Sequence, residues 1–189
     1  ALGLATPVAI MVGSGVGAKN GILFKTAASL EETGRIQIVA LDKTGTITSG
    51  DPTVTDLCPA PGVTETELLR LAYALERRSE HPLAKAVLRR AEADGLTAAE
   101  VADFQALPGN GLRATLDGQP LCGGNADFIR EKTALPETTT QRAAALADEG
   151  KTPLYFSRNN ELLGVIAVAD VMKSDAAEAI RELKGMGLR

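Results

Sequence analysis

The stretch IVALDKTGTITSGD, residues 38–51, decides the fold prediction because an apolar run passes directly into Asp42. The β-branched residues of RIQIVAL (35–41) predict a short strand that ends at this aspartate. A carboxylate at the carboxyl end of a parallel strand lies at the crevice where open α/β sheets bind their ligands. Gly45 allows a sharp turn after the strand, with backbone amides facing an anion. The stretch therefore predicts an α/β fold with an anion site at the end of this strand.

Asp42 is the candidate catalytic residue of this stretch, as a nucleophile that accepts a phosphoryl group and forms an acyl phosphate. Lys43, Thr44 and Thr46 add hydrogen-bond donors around it. Positioning and Mg²⁺ supply most of the rate in phosphoryl transfer, so the stretch also predicts a magnesium requirement. The alternative is a polar turn in which aspartate and threonine cap backbone groups. Five specified residues directly after an apolar strand favour the nucleophile.

The amino-acid composition is typical of a globular domain and excludes several kinds of site and partner. The 189 residues are 44% hydrophobic and 23% charged, a balance typical of globular domains that bury a core. A net charge of −4 and an aromatic content of 3% without Trp argue against a nucleic-acid partner. Cys58 and Cys122 lie far apart in the sequence and predict no disulfide framework. His81 is the only histidine, which excludes a multi-histidine metal site within this sequence.

The two ends of the sequence predict a longer protein that spans a membrane. Residues 1–18 carry no charge, and we expect them to form the C-terminal part of a transmembrane helix. From about residue 19 onward we expect a cytoplasmic chain. GSGVGAKNG (13–21) departs from a phosphate-binding Walker A loop, because Lys19 is followed by asparagine. Gly13, Gly17 and Gly21 in this stretch lie four residues apart, a spacing that favours close helix packing.

Residues 51–169 predict a self-contained α+β domain that is inserted into the first domain. The sequence thus divides into residues 1–18, 19–50, 51–169 and 170–189, and the last segment returns to the interrupted domain. The first helix expected in the insert has a Thr64–Glu67 capping box and an apolar face of Leu68, Leu71, Ala72 and Leu75. A second helix is expected from Ser79, with Pro82 in its first turn. We also expect hairpins at Asp117-Gly118 and Asn159-Asn160, and a helix closed by Gly150.

DKTGT (42–46) resembles the phosphorylation motif of P-type ATPases, and further motifs agree with it. SEHPLAKA (79–86), PGNGL (108–112) and GGN (123–125) resemble the nucleotide-binding motifs of the heavy-metal-transporting subfamily. GVIAVADVMKSDAAEAIRELKGMG resembles the return into the phosphorylation domain. ALGLATP (1–7) is similar to the residues that follow the Cys-Pro-Cys ion site of copper(I) pumps. The resemblance covers essentially the whole sequence.

This resemblance implies an incomplete haloacid-dehalogenase-like α/β phosphorylation domain, interrupted by an α+β nucleotide-binding domain and preceded by the end of a transmembrane helix. Asp42 would take the γ-phosphate of ATP, and Thr44 would contact the phosphate and offer its carbonyl to Mg²⁺. Lys43 and Thr46 would shape the loop, and Asp170 would lie at the hinge between the domains. The residues implied to bind the nucleotide are Glu76, His81, Gly109, Gly111, Leu112, Gly124 and Asn125.

The resemblance also implies a function, namely the ATP-binding and phosphorylation part of a copper(I)-exporting P-type ATPase in a multi-pass membrane protein. Silver(I) is an alternative soft ion, and zinc or cadmium is the other alternative cargo. The sequence has no Thr-Gly-Glu, Gly-Asp-Gly or Cys-Pro-Cys motif. We therefore expect these residues to bind ATP, to hold no copper ligands, and neither to pump nor to turn over ATP by themselves.

Two other functions stay open at this point. A soluble haloacid-dehalogenase-type phosphatase shares the aspartate nucleophile but typically carries a second aspartate two residues later, where this sequence has Thr44. Without that general acid and base the acyl phosphate persists, which favours a pump. The second alternative is a non-catalytic ATP-binding module. Single residues also have local alternatives, with His81 as a helix cap, Glu76 in an ion pair with Arg77 or Arg78, and GNG as a simple turn.

Overall fold

The structure, a computed structural model, describes residues 2–189; Ala1, where the predicted membrane segment begins, lies outside the described residues. The chain forms two compact units, one of Asp42–Lys173 and one of the residues up to Leu41 together with Ser174–Arg189. The helices are α1 (Leu2–Lys19), α2 (Ala27–Thr33), α3 (Glu65–Glu76), α4 (Pro82–Ala93), α5 (Ala126–Arg130), α6 (Glu137–Asp148) and α7 (Ala176–Gly185). The strands are β1 (Thr48–Pro59), β2 (Ala102–Leu107), β3 (Gly111–Leu116), β4 (Gln119–Gly124), β5 (Thr152–Arg158) and β6 (Glu161–Met172).

The larger unit is built on one six-stranded antiparallel sheet with the strand order β1-β6-β5-β4-β3-β2. Both predicted hairpins are confirmed. Asp117 and Gly118 turn β3 into β4 with φ of 51° and 76°, and Asn159 and Asn160 turn β5 into β6 with φ of 49° and 62°. Two consecutive left-handed residues match the twist of the flanking strands, which is why Asp-Gly and Asn-Asn occur there.

Helices cover both faces of this sheet. Along β5, Phe156 packs in a cluster with α3 and α4, whereas its neighbour Tyr155 packs in a second cluster with α5 and α6. Ile166 and Val165 of β6 divide between the two clusters in the same way. Because successive side chains of a strand point to opposite faces, the two clusters lie on opposite sides of the sheet. The unit therefore has three layers, two of helices and one of strands between them.

The first helix of the insert forms as the sequence predicted. The Thr64 hydroxyl accepts a hydrogen bond from the Glu67 amide at 3.1 Å and so caps the start of α3. The predicted apolar face is buried in the core, namely Leu68, Leu71, Ala72 and Leu75. The helix α6 also forms, and Gly150 follows it with φ of 80°. Local capping and periodicity were sufficient signals for these helices.

The predicted start of the next helix was wrong by three residues. Ser79 was expected to begin it, but α4 begins at Pro82 and its N-cap is His81. The imidazole Nδ1 of His81 accepts the Leu83 amide at 3.2 Å, a task that serine or aspartate usually performs. The Ser79 hydroxyl instead accepts the His81 amide at 3.3 Å and so lies outside the helix.

The predicted strand over residues 35–41 does not form. Residues 36–41 form neither helix nor strand, and within the described chain their backbone pairs with only one residue. Val39 donates to the Arg189 carbonyl at 2.8 Å, and Arg189 donates to the Gln37 carbonyl at 2.9 Å. A strand needs a ladder of such bonds, and one partner residue is too short a ladder. All strand pairs among residues 2–189 are antiparallel, so Asp42 follows an irregular segment rather than a parallel strand.

The smaller unit contains the uncharged start of the sequence. A Cβ added at Gly13 would lie 3.0 Å from Leu30 of α2, and one at Gly17 would lie 3.0 Å from Phe24. These close approaches support a packing role for the spaced glycines. The helix α2 begins at Ala27, because the Thr26 side chain caps it by accepting the Ser29 amide. None of the helices described is both long and apolar enough to cross a membrane.

Candidate functional site

Asp42 lies at the start of a wide turn, Lys43–Ile47, in which Gly45 has a φ of 79°. One carboxylate oxygen of Asp42 accepts the Lys43 amide at 2.8 Å, and the side chain is otherwise open to solvent. Thr44 and Thr46 are also exposed, and within the described residues their side chains make no hydrogen bond. The turn thus presents a solvent-accessible carboxylate whose free oxygen can act as a nucleophile.

Asp170 anchors this turn from the far end of β6. Its carboxylate accepts hydrogen bonds from the Thr48 hydroxyl, from the Ser49 hydroxyl at 3.2 Å and from the Gly50 amide at 2.9 Å. These bonds, the one from Thr48 above all, hold the pKa of Asp170 below its ordinary value. Asp170 was predicted to lie at a hinge, and here it joins the end of β6 to the start of β1.

Two further bonds fix the turn itself. The ammonium group of Lys173 donates to the Gly45 carbonyl at 2.8 Å, and the Lys173 amide donates to the Ile47 carbonyl at 2.9 Å. The buried Thr48 hydroxyl also lies 2.9 Å from the Lys43 carbonyl. The backbone after Asp42 is therefore held by Thr48 of β1 and by Asp170 and Lys173 at the end of β6, while the Asp42 carboxylate stays exposed.

A cavity of about 600 Å³ lies at the end of the sheet where β3 begins and β4 ends. Its volume is within the usual range for small-molecule sites. The residues predicted to bind nucleotide come from separate parts of the sequence, and every one of them lines this cavity: Glu76, His81, Gly109, Gly111, Leu112, Gly124 and Asn125. Its remaining wall is largely apolar. The structure thus brings the scattered motifs together in one place.

Two paired glycines make room at this end of the sheet. Gly111 faces Gly124 across the β3–β4 pair. A Cβ at Gly111 would lie 2.1 Å from the Gly123 carbonyl oxygen, and one at Gly124 would lie 2.3 Å from the Asn110 carbonyl oxygen. Any side chain here would force the backbone apart. Glycine is therefore needed for the two strands to meet and for the backbone to form the cavity wall.

Gly109 and Asn125 hold the loop between β2 and β3. Gly109 has a φ of 79°, and open space surrounds the position of a Cβ there. The Asn125 side-chain amide donates to the Gly109 carbonyl at 2.9 Å, and its oxygen accepts the Phe128 amide at 2.8 Å as the N-cap of α5. Asn125 thereby fixes the GNG loop against β4, so this loop is a positioned part of the cavity and not a free turn.

His81 both caps α4 and lines the cavity. Because Nδ1 accepts the Leu83 amide, the neutral ring carries its proton on Nε2. That nitrogen is a donor that the helix cap does not use. The alternative role as a cap residue is therefore correct, but it leaves one side of the imidazole for a ligand.

Glu76 is the charged residue buried in this cavity wall, with 6% of its surface exposed. Burial raises the pKa of its carboxyl to about 7, and the nearby Ser79 hydroxyl opposes that shift only in part. The ion pair that the sequence left open does not form. Arg77 and Arg78 instead approach Glu100, at 3.8 Å and 3.9 Å.

Sequence reasoning missed several lining residues. Gly123 belongs to the quoted GGN motif, and its Cβ would lie 2.7 Å from Phe156, so crowding there is a signal that spacing alone does not show. Leu83 lies inside the quoted SEHPLAKA motif but was not named as a binding residue, and Leu154 of β5 lies in no quoted motif; both supply apolar wall. A larger cavity of about 800 Å³ lies near the Asn159-Asn160 turn and contains none of the predicted residues, so volume alone does not identify the site.

The fold and these residues match a known family. The haloacid dehalogenase-like hydrolases match residues 36–189, and the chain belongs to this family. Among curated proteins, copper-exporting P-type ATPases of Staphylococcus aureus are 42% identical and one of Staphylococcus saprophyticus is 40% identical, each over the whole chain. The chain spans 23% of the length of these curated relatives.

Solved structures agree with this fold. A zinc-transporting PIB-type ATPase in its E2.Pi state superposes with a TM-score of 0.86 at 38% identity, over 97% of this chain and 30% of that protein. The N-domain of HMA8, a copper-transporting P-type ATPase, superposes with a TM-score of 0.55 at 28% identity, over 62% of this chain and 99% of that domain. The predicted fold class, a haloacid-dehalogenase-like domain with an inserted α+β domain, is confirmed.

Proposed function

We propose that this chain is the nucleotide-binding and phosphoryl-accepting part of a copper(I)-exporting P-type ATPase. The observation that carries the proposal is the convergence of the predicted nucleotide-binding residues on one cavity of about 600 Å³. These residues come from α3, the α4 cap, the β2–β3 loop, β3, β4 and the α5 cap, and nothing in their sequence spacing requires them to meet. The similarity of the whole chain to part of copper-exporting P-type ATPases supports the same interpretation.

ATP is a suitable occupant of the cavity. Leu83, Leu112 and Leu154 offer an apolar surface for a purine ring. The glycine backbone of the GNG loop and of β4 has no side chains and can lie close to phosphate oxygens. The free Nε2 of His81 adds a hydrogen-bond donor at the N-terminus of α4. The site thus combines an apolar compartment with a compartment rich in backbone polar groups.

Asp42 is proposed to accept the γ-phosphoryl group. A carboxylate oxygen forms a bond to the γ-phosphorus, the bond from that phosphorus to the β–γ bridging oxygen breaks, and ADP leaves with the electron pair. Thr44 stands where a second aspartate would activate water, so the aspartyl phosphate persists. Asp170 and Lys173 hold the turn and keep Asp42 positioned during this step.

The residues present fit a magnesium ion only in part. The Asp42 carboxylate and the Thr44 carbonyl are hard oxygen ligands, which Mg²⁺ prefers, and both belong to one turn. Within residues 2–189 no cluster of three or more carboxylate, histidine or cysteine ligands could hold a metal ion. Protein Mg²⁺ sites commonly use one or two carboxylates together with substrate phosphates, so this donor set suits an ion that arrives with ATP. Such an ion would neutralise charge on the phosphates.

The cargo and the membrane are proposed from the relatives. Copper(I) export across a membrane follows from the 42% identity to copper-exporting P-type ATPases and from the ALGLATP motif. The solved zinc-transporting relative, at 38% identity, supports zinc as the alternative cargo. Silver(I) is a further candidate, because sites that bind copper(I) with soft ligands also accept silver(I). In this proposal the larger unit works on the cytoplasmic side.

The proposal is tested by labelling the full-length protein in membranes with γ-labelled ATP and copper(I). We expect an acid-stable label that hydroxylamine removes, as for an acyl phosphate, and no label in Asp42→Asn. Asp127→Asn is the matched control, because Asp127 is an exposed aspartate on α5 that pairs only with Arg130. A label that persists in Asp42→Asn would assign the phosphoryl group elsewhere. A wild-type protein without label would favour a non-catalytic ATP-binding module.

A further inference from the structure

We propose that Arg89 of α4 is a positioning residue that orients the turn Lys43–Ile47 relative to the nucleotide cavity. Its guanidinium group reaches from α4 to Asp51 and Pro52 near the start of β1. This inference rests on the proposed function, since it concerns phosphoryl transfer from ATP to Asp42. Arg89 does not line the cavity, so it acts through the backbone that follows the turn.

The ladder between β1 and β6 is interrupted directly after the turn. Within the described chain, residues 49–51 have no ladder partner on β6, whereas Thr48 before them and Pro52 after them do. Gly50 in this stretch has a φ of 74°. Residues 49–51 therefore form a bulge, and a bulge bends its strand and re-aims the chain beside it. The direction in which the turn leaves the sheet is set at this bulge.

Two side chains from different elements hold the bulge. The Asp170 carboxylate of β6 accepts the Gly50 amide at 2.9 Å. The Nη1 group of Arg89 donates to the two carboxylate oxygens of Asp51 at 2.6 Å and 2.5 Å, and Nη2 donates to the Pro52 carbonyl at 2.5 Å. Hydrogen bonds between a guanidinium group and a carboxylate are stronger than neutral ones. Asp170 belongs to the strand that already pairs with β1, whereas Arg89 ties the bulge to a helix.

The bulge lies against the turn itself. A Cβ added at Gly50 would lie 3.3 Å from the Gly45 Cα, so the two backbones are in close contact. The Thr48 hydroxyl, at the first residue of β1, lies 2.9 Å from the Lys43 carbonyl. A shift of the bulge therefore shifts the turn, because little space separates them.

The other end of α4 belongs to the nucleotide cavity. His81 caps the helix and lines the cavity, and Leu83 and Ala84 of the first turn line it too. Arg89 lies roughly 12 Å further along the same helix, at about 1.5 Å per residue. The helix packs against β1 and has no proline beyond its first residue. It is therefore a straight link between the cavity at its N-terminus and the bulge that Arg89 holds.

This link matters for the transfer step and not for nucleotide binding. Phosphoryl transfer requires the Asp42 carboxylate to face the γ-phosphorus in line, and small errors in such an alignment cost large factors in rate. Without Arg89 the bulge keeps its bond to Asp170 but loses its tie to the helix that forms the cavity wall. A smaller fraction of the ATP complexes then has the reactive geometry, while the cavity itself is unchanged.

The experiment measures the initial rate of labelling of the full-length protein in membranes by γ-labelled ATP with copper(I), over a range of ATP concentrations. We expect Arg89→Gln to lower the rate at saturating ATP by roughly tenfold or more. The ATP concentration at half-maximal rate should not change. Arg90→Gln is the matched control, because Arg90 pairs with Asp94 at the end of the same helix, and it should label at the wild-type rate. Glutamine and arginine have similar helix propensities, so α4 is preserved in both variants.

A double-mutant cycle distinguishes positioning from a general structural effect. Asp51→Asn should also slow labelling, and Asp51→Asn combined with Arg89→Gln should be no slower than Arg89→Gln alone, because both changes remove the same contact. The pair is half-exposed, and exposed ion pairs contribute little to stability. The melting temperature of the chain should therefore stay close to the wild-type value in each variant.

The outcomes separate this inference from the proposed function. Labelling of Arg89→Gln at the wild-type rate would overturn the role of Arg89, as would a change in half-saturation with an unchanged maximal rate. Additive losses in the double variant would also overturn it, because the two residues would then act independently. If Arg89→Gln does not fold, Asp51→Asn decides in the same assay. Absence of label in the wild type would overturn the proposed function itself.

Discussion

His81 serves two purposes with its two ring nitrogens. Nδ1 caps α4, and Nε2 of this cavity-lining ring is left as a donor that the cap does not use. The motif predicted that this residue belongs to the binding site. The sequence alone could not show whether it also caps α4, or at which residue that helix begins. A histidine before proline fits both roles, and only the position of the Leu83 amide shows which nitrogen is engaged.

We predict that His81→Gln weakens ATP binding by roughly threefold to tenfold, the effect of losing one hydrogen bond to a phosphate or base. Calorimetry on the 189-residue chain measures this change. His81→Asn is the informative companion, since asparagine retains a good N-cap but lacks the imidazole. Weakening in both variants supports a direct role. Weakening in His81→Gln alone would show that His81 acts only through the cap, and equal affinity in all three proteins would refute the assignment.

The surroundings of the Glu76 side chain could not be predicted from the sequence. Its neighbours Arg77 and Arg78 made an ion pair a reasonable alternative, but they approach Glu100 instead. Glu100 lies beyond α4, and no local pattern predicts that a loop so far along the chain returns to these arginines. The isolation of a charge therefore depends on tertiary structure, even where the charge itself is evident from the sequence.

Elements that depend on local signals were predicted well. Hairpin turns, the Thr64 cap and the apolar face of α3 carry their information within a few residues, and these formed at the expected places. The strand over residues 35–41 failed because a strand depends on a partner, and only Arg189 pairs with it in the described chain. The predicted start of α4 was wrong because a histidine, and not one of the usual capping residues, caps this helix.

Lys151 joins β5 to the edge strand β1. Its ammonium group lies 2.8 Å from Asp56 of β1 and 2.8 Å from Glu149. The hydrogen bond from Lys151 holds the pKa of Asp56 below its ordinary value, and the pKa of Lys151 is raised in turn. A lowered carboxyl pKa stabilises the fold above the unfolded pKa and loses that effect as the pH falls through the folded value.

We predict that Lys151→Gln lowers the urea midpoint of unfolding at about pH 7, and that its deficit shrinks as the pH falls toward about 3. Protonation of Asp56 removes the pair from the wild type at acid pH, so the two proteins converge. Arg142→Gln is the control, because Arg142 lies 3.5 Å from Asp56 and is more exposed than Lys151. Its deficit should be smaller. A deficit for Lys151→Gln that is constant or larger at acid pH would contradict this account.

The position of the candidate site is set by the strand order of the whole sheet and not by any single motif. The end of α3, the cap of α4, the β2–β3 loop and the end of β4 meet because the antiparallel order brings them to one end. The quoted motifs contain most of the lining residues, but they did not include Leu154 and did not show that Leu83 forms apolar wall or that Gly123 is crowded by Phe156. The domain boundaries near residues 51 and 169 stay a prediction, whereas the compact unit extends from Asp42 to Lys173.

The most direct measurement is an ATP titration of the isotope-labelled chain followed by amide NMR. Backbone amides report each glycine separately, so the spectrum shows where the nucleotide binds. We predict the largest changes at Gly109, Gly111, Gly124 and Asn125, with little change at the Asn159-Asn160 turn beside the larger cavity. Changes centred on that turn, or no saturable change at the glycines, would contradict the nucleotide site and with it the proposed function.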